Sequence, residues 1–305
     1  MPPLDLQIPP HLIANQQHYH GEDGLRWIEA LPALAAEVAQ RWGLILEAPF
    51  TAGQVDYTAP VRRSDGSEAV LKLCYVDLYL RPAVAALWAF DGNAAVRLLD
   101  ADLESGALLL ERLVPGEPIS VITDDTTAMH EAAEILRHLW KAPADAVDFL
   151  SLDSWLDDAN LDERLPATKR GHPWVARLLA QAHALVTTST QRCLLHGDFH
   201  QDNVLSSQRG WLAVDPKGIF GDPAWDLAAL LFNNLEPAGD AWRPLIRRRL
   251  DQLCDELGLD RRRAYTLCAA RALQSRFWSL RDSAEPRDAS VERAFHVGEE
   301  LAKGP

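Results

Sequence analysis

Residues 196–204 read HGDFHQDNV, a stretch holding two histidines, two aspartates and an asparagine. Three chemistries can use such a set. Asp198 and His200 stand as D-x-H, a spacing that suits a metal-hydrolase ligand pair. A two-metal site needs several further His, Asp or Asn ligands. Asp215 and Asp222 lie downstream, but there is no histidine between 201 and 295. The plain alternative is a polar loop capped by its own hydrogen bonds, since Asp and Asn serve turns. Apolar runs flank the cluster, CLL before and NVL after, and a second short run, WLAVD, ends in an acid. Polar groups at strand ends on one edge suggest a built site. The third chemistry is phosphoryl transfer. It requires a carboxylate near the attacking hydroxyl, ligands for Mg2+ on the phosphates, and a fixed cation.

The spacing favours the third. Asp198, Asn203 five residues on, and Asp215 twelve later follow the general order H-x-D-x-x-x-x-N then D. A hairpin over 193–218 would bring them to one end: Asp198 on the loop entering its first strand, Asn203 just before that strand, Asp215 where the second leaves. Asn and Asp offer the hard oxygens that Mg2+ prefers. Upstream, Lys72 is the one cation in AVLKL, where it could neutralise phosphate or merely reach water. Gly53 in FTAGQVDY marks a turn whose backbone could approach phosphates. LLLERLVPG could present backbone N–H and C=O to a nucleotide base.

These residues need elements to hold them. Residues 1 to about 24 are Pro- and His-rich and read as irregular or loosely packed. LPALAAEVAQRWG has Leu31, Leu34, Val38 and Trp42 at helical spacing, with Pro32 suited to a first turn and Gly43 to a C-terminal cap. The next thirty or so residues alternate short apolar runs with an Asp65-Gly66 turn, the pattern of antiparallel hairpins. RPAVAALWAFDG reads as a helix, and two more strands surround Glu104-Ser105-Gly106. From TTAMHEAAEILRHLWKA onward the pattern is mainly helical. The class is α+β and two-lobed: a small antiparallel β lobe over 1–112, and a larger helical lobe over 113–305 carrying the polar hairpin.

Composition narrows the partners. The 305 residues carry 30 Lys+Arg against 44 Asp+Glu, a formal charge of −14. That excludes a basic nucleic-acid footprint and an anionic membrane surface, while a cationic small molecule would be drawn in. Cys74, Cys193, Cys254 and Cys268 are widely spaced and read as reduced, buried thiols. The first residues lack a basic start followed by an apolar stretch, so no secretion signal is expected. No apolar run is long enough to span a membrane. A cytoplasmic location is expected, and oligomeric state is not legible.

On LLHGDFHQDNVL, AVDPKGIFGDPAWDLA, AVLKL, DGNAAVRLLDAD, ALLLERLVPG and CAARALQSRFWSL, the chain resembles the aminoglycoside phosphotransferase-type kinases. Within them it most resembles the branch of streptomycin 6-phosphotransferases and hydroxyurea phosphotransferases, from about residue 25 to about 285. The resemblance implies a protein-kinase-like fold, ATP and Mg2+ as cofactors, and phosphorylation of a hydroxyl on a small polar acceptor. It implies Asp198 as catalytic aspartate and Asn203 and Asp215 as Mg2+ ligands. Lys72 would hold the α- and β-phosphates, and the backbone of Glu111 and Leu113 would meet adenine. His196 would be structural. Asp226 would brace the catalytic loop, or simply favour a helix N-terminus.

One departure stands out. Related kinases pair the strand lysine with a glutamate on the following helix, but RPAVAALWAF has no acid, and Asp77 and Asp91 are the nearest. Either another carboxylate holds Lys72, or nucleotide alone orders it, or turnover has been lost and the chain is a nucleotide-binding module. With Asp198, Asn203 and Asp215 intact, an active enzyme is favoured. Lys217 in DPKG is either a second cation for the transferring phosphoryl group or a solvated turn lysine. Streptomycin, with its guanidinium groups, suits the acidic balance, and Asp222, Glu236, Asp282 and Glu285 are candidates to line its site. Sugars, amino sugars and hydroxyurea-like hydroxyls stay open, since function lives in the site rather than the fold.

Overall fold

The computed structural model describes residues 6–51, 55–142, 145, 148–157, 173–279 and 289–305. It opens on helix α1 (Pro10–Trp42), with Pro10 in the first turn, where no N–H is needed. Gly21 (φ 60°, ψ −132°) kinks it. Residues 10–20, expected to be irregular, are therefore helical. Leu12 and Gln16, one turn apart, are both buried, so a narrow inward face carries a helix that its polar composition disguises. Pro32 lies inside α1 and not in a first turn. Gly43 ends the helix in the left-handed region, its N–H bonding Ala39 O and Gln40 O.

Strands β1 (Leu44–Leu46), β2 (Tyr57–Arg63) and β3 (Glu68–Leu73) follow, then helix α2 (Leu80–Phe90), β4 (Leu98–Asp102) and β5 (Ala107–Glu111). They form an antiparallel sheet in the order β1-β2-β3-β5-β4. Strand alternation decides what each face carries. Leu71 and Leu73 of β3 pack with Leu31, Ala35 and Val38 of α1. Each such leucine contributes about 1.5–3 kcal/mol by burial. Lys72 points the other way, paired in register with Leu108. On that face Leu108 packs with Leu80, Val84 and Leu87 of α2.

The second part contains α3 (Asp125–Leu139), β6 (Leu150–Ser151), α4 (Leu152–Asp157), α5 (Pro173–Thr187), β7 (Cys193–Leu195), β8 (Val204–Ser207), β9 (Gly210–Ala213), β10 (Ile219–Gly221), α6 (Ala228–Phe232), α7 (Trp242–Leu257), α8 (Arg261–Ser279) and α9 (Ala289–Leu301). The single hairpin expected over 193–218 is divided. Only β8 and β9 form a hairpin; β7 pairs antiparallel with β10, which pairs parallel with β6. The reason is the polar stretch itself. Its backbone is committed to side chains and a tight turn at Gln201–Asn203, so CLL takes its ladder partner from beyond Asp215.

The large core joins Met129, Leu136, Leu195, Phe199, Trp225, Leu250 and Leu273. Phe90 of α2 also enters it, so α2 is shared between the two parts. Val96 N–H donates to Ala213 O (2.8 Å) and Ala213 N–H to Ala94 O (2.9 Å), stitching β9 to the turn after α2. All four cysteines are free. No helix among the described residues is long and apolar enough to cross a membrane.

Candidate active site

The loop after β7 is built around two buried groups. His196 is fully buried. Its Nε2–H donates to Val214 O (2.8 Å), and its Nδ1 accepts the Asp198 N–H (3.3 Å). That pairing requires the neutral ring, and burial pushes its pKa down to about 4. Asp226 accepts three N–H groups: His196 N–H (2.9 Å), Gly197 N–H (2.7 Å) and Trp140 Nε1–H (3.0 Å). Burial still lifts its pKa to about 6 against those donors. Gly197 has φ 85°, and a Cβ there would stand 2.8 Å from Ile219 Cδ1. The loop is thus held from below by one carboxylate and one imidazole.

Asp198 rides on this support. Arg271 of α8, itself buried, places Nη2 3.6 Å from Asp198 Oδ1, and His200 Nε2 lies 3.9 Å from Oδ2. Burial pushes the Asp198 pKa up, but His200, Lys217 and Arg271 outweigh it and hold the carboxyl below its ordinary value. It is ionised at neutral pH. Asn203 Nδ2–H donates to Asp198 O (3.0 Å), and Val214 N–H donates to Asn203 O (2.9 Å). Asn203 therefore links the loop to the residue before Asp215, and commits its amide nitrogen rather than its oxygen.

Asp215 adopts φ 61°, a left-handed conformation Asp tolerates better than most residues. Two cations meet its carboxylate: Lys72 on Oδ1 and Lys217 Nζ on Oδ2 (3.0 Å). Burial opposes its charge, but Lys217 and Lys72 hold its pKa far below the carboxylate range. Lys217 is not a solvated turn lysine; its N–H also donates to His196 O (2.7 Å). Lys72, only 13% exposed, has a second acid, with Asp56 Oδ2 2.9 Å from Nζ. Burial alone would lower its pKa, yet Asp215 and Asp56 raise it well above the ordinary value. Neither acid flanking α2 takes that part. Asp77 accepts the Tyr79 N–H (2.8 Å), and Asp91 is the left-handed cap of α2.

Lys72, Asp198, Asn203 and Asp215 thus converge, with Lys217 added. Gly53 lies outside the described residues. Glu111 ends β5; its N–H donates to Arg97 O (3.0 Å), and its carboxylate accepts the Arg97 N–H (2.7 Å) and pairs with Arg209. Leu113 packs in the same apolar cluster as Val214. Of the acids considered for an acceptor, Asp222 is corrected: it is buried, caps the Ala224 N–H (3.1 Å), accepts from Ser189 Oγ (2.8 Å) and pairs with Arg263 Nε (2.6 Å). Asp282, Glu285 and the Glu236 side chain lie outside the described residues. Among the described residues, no three His, Cys, Asp or Glu side chains are grouped to hold a metal, so a hydrolase-type cluster at Asp198 and His200 is not assembled. Asp56 and Arg271 were not singled out from sequence. The available signals were an acid entering the strand that pairs with AVLKL, and a lone arginine inside the apolar CAARAL.

Known proteins resemble this chain along most of its length. Residues 41–283 match the family model described as aminoglycoside/hydroxyurea antibiotic resistance kinase. Streptomycin 6-kinase from Streptomyces glaucescens is 36% identical over 94% of this chain and 95% of its own. Hydroxyurea phosphotransferase from Kitasatospora aureofaciens is 35% identical over 97% of this chain and 86% of its own. Among solved structures, a choline/ethanolamine kinase family protein from Mesorhizobium loti aligns with TM-score 0.66 at 19% identity, covering 89% of this chain and 96% of that one. That likeness identifies the fold as kinase-like. With the loop, the paired lysines and the near full-length similarity together, this chain is a phosphotransferase acting on an alcohol group and belongs to the aminoglycoside/hydroxyurea antibiotic resistance kinase family.

Proposed function

We propose that the enzyme transfers the γ-phosphoryl group of ATP to the 6-hydroxyl of streptomycin, and so confers resistance. The observation that carries this reading is the convergence of Asp198, Asn203, Asp215 and Lys72 in a chain 36% identical to a streptomycin 6-kinase over nearly its full length. Hydroxyurea is the second reading, supported by the 35% identical hydroxyurea phosphotransferase. The lobe over 1–112 binds nucleotide, with the Glu111 and Leu113 backbone at adenine. The lobe over 113–305 supplies the catalytic loop and the acceptor site. An ATP-dependent enzyme of this kind works in the cytoplasm.

The donor set fits Mg2+. Asp215 offers a carboxylate oxygen once Lys72 or Lys217 turns from it to a phosphate, and Asn203 offers the amide oxygen not used in its bond to Asp198 O. These are hard ligands of the kind that leave room for phosphate oxygens. The bound ion would neutralise charge on the phosphates. The chain's own residues do the rest. Asp198, ionised, accepts the proton of the acceptor hydroxyl as its oxygen bonds to the γ-phosphorus. The bond from that phosphorus to the β–γ bridging oxygen breaks, and ADP leaves. Lys72 and Lys217 balance phosphate charge as cations already in place before the transfer.

The test is ADP release with Mg2+ against streptomycin, other aminoglycosides, amino sugars and hydroxyurea, with Asp198→Ala as control. Release that depends on streptomycin and is lost in the control is expected. Release with hydroxyurea alone would select the second reading. ATP binding without release for any acceptor would overturn both.

A further inference from the structure

The lysine at the phosphate site has lost its usual partner, for α2 contains no acid. Its replacement comes from the preceding strand. Asp56 stands immediately before β2, and β2 pairs with β3 so that Thr58 faces Lys72. The hairpin register alone therefore brings the Asp56 carboxylate to Lys72 Nζ, at 2.9 Å. Both side chains are mostly buried, 13% and 18% exposed, so the pair is little screened by salt.

Asp56 is itself held from α1. Gln16 is buried, and its Nε2–H donates to Val55 O (2.6 Å), fixing the backbone one residue before Asp56. The kink at Gly21 folds the start of α1 over this point. Gly24 makes the fold tight, because a Cβ there would stand 2.2 Å from Gln16 O. The buried Cys74 thiol beside Asp56 is pushed well above the thiol range, by burial first and then by the Asp56 charge, so it stays neutral and Lys72 is the cation that meets that carboxylate.

We infer that Asp56, latched by Gln16 of the N-terminal helix, is the positioning acid that holds Lys72 for the nucleotide phosphates. This rests on the nucleotide role proposed for Lys72. Lys72 here lies between two carboxylates, Asp56 and the metal-site Asp215. A lysine shared in this way can leave Asp215 for a phosphate and remain anchored on Asp56. Without Asp56, it would be drawn to Asp215 alone, and phosphate would compete directly with that ion pair.

The test is a double-mutant cycle read by calorimetric titration of the full chain with Mg2+ and the non-hydrolysable analogue AMP-PNP. Lys72→Met and Asp56→Asn are each expected to weaken binding about tenfold, and the double variant no more than Lys72→Met alone, with the acceptor KM unchanged. If Lys72→Met is weak but Asp56→Asn binds like the parent, or the two losses multiply, Asp56 does not act through Lys72 and the inference falls. If Lys72→Met itself binds like the parent, the nucleotide reading falls, and the inference with it. Should Asp56→Asn melt too early to titrate, Gln16→Met takes its place in the cycle. It removes no charge and is expected to weaken binding only where Lys72 is present; an equal loss in the Lys72→Met chain overturns the latch.

Discussion

Asp198 keeps its charge in a half-buried position because Arg271, His200 and Lys217 surround it. On the proposed mechanism, replacing it by Ala removes the proton acceptor. Turnover should fall by at least about 10²-fold, with the KM for ATP little changed in steady-state assays. Asp226 and His196 carry a second residue-scale prediction, because their linkage to pH has opposite signs. His196, depressed to about 4, contributes stability present above its unfolded value of 6.5 and lost as pH falls toward 4. Asp226, raised to about 6, contributes stability present below its unfolded 3.8 and lost as pH rises to 6. Over pH 4–6 the two largely cancel. Asp226→Asn removes one side of that balance, so the variant should lose stability on acidification more steeply than the parent, by up to about 1.4 kcal/mol per pH unit. Denaturant melts at pH 4.5, 5.5 and 6.5 check this; parallel curves would contradict it. Much of this site was legible because Asp198, Asn203 and Asp215 lie within one short stretch, where spacing alone encodes proximity. Asp56 and Arg271 were not legible, since only the register of β2 on β3 and the docking of α8 bring them to Lys72 and Asp198.

The elements matter most where two meet at a point without room. Gly218, in DPKG, has φ 65°, and a Cβ there would stand 2.1 Å from Pro82 O in the first turn of α2. Its carbonyl also accepts the Leu150 N–H (3.0 Å). Gly218→Ala should destabilise the fold by about 2 kcal/mol or more, read as a lowered denaturant midpoint at unchanged slope. It should also reduce turnover, because Lys217 precedes it and α2 would be pushed away. Element types were largely readable. The sheet showed in its short apolar runs and turn glycines, and α2 and α3 in their helical periods. Two things were hidden. The start of α1 buries little besides Leu12 and Gln16 among its polar residues, so it lacks the wide apolar stripe that marks a helix. The division of 193–221 into a hairpin and a separate three-stranded sheet depends on long-range pairing with β6, which no local pattern carries.

At the scale of the whole molecule, the −14 charge is a field as well as a composition. A cationic acceptor approaching it is steered, and salt screens that steering within about 10 Å at 0.1 M. For streptomycin, kcat/KM should therefore fall severalfold between about 0.05 and about 0.5 M NaCl, while the value for uncharged hydroxyurea stays flat. Equal salt dependence for both would rule out long-range steering. In protein kinases the acid that holds the lysine rides on a mobile helix, and moving that helix turns the enzyme on or off. Here the acid and the lysine belong to one hairpin, while α2 is packed into both cores. A drug or accessory protein that silences kinases by displacing that helix would find no clasp to undo.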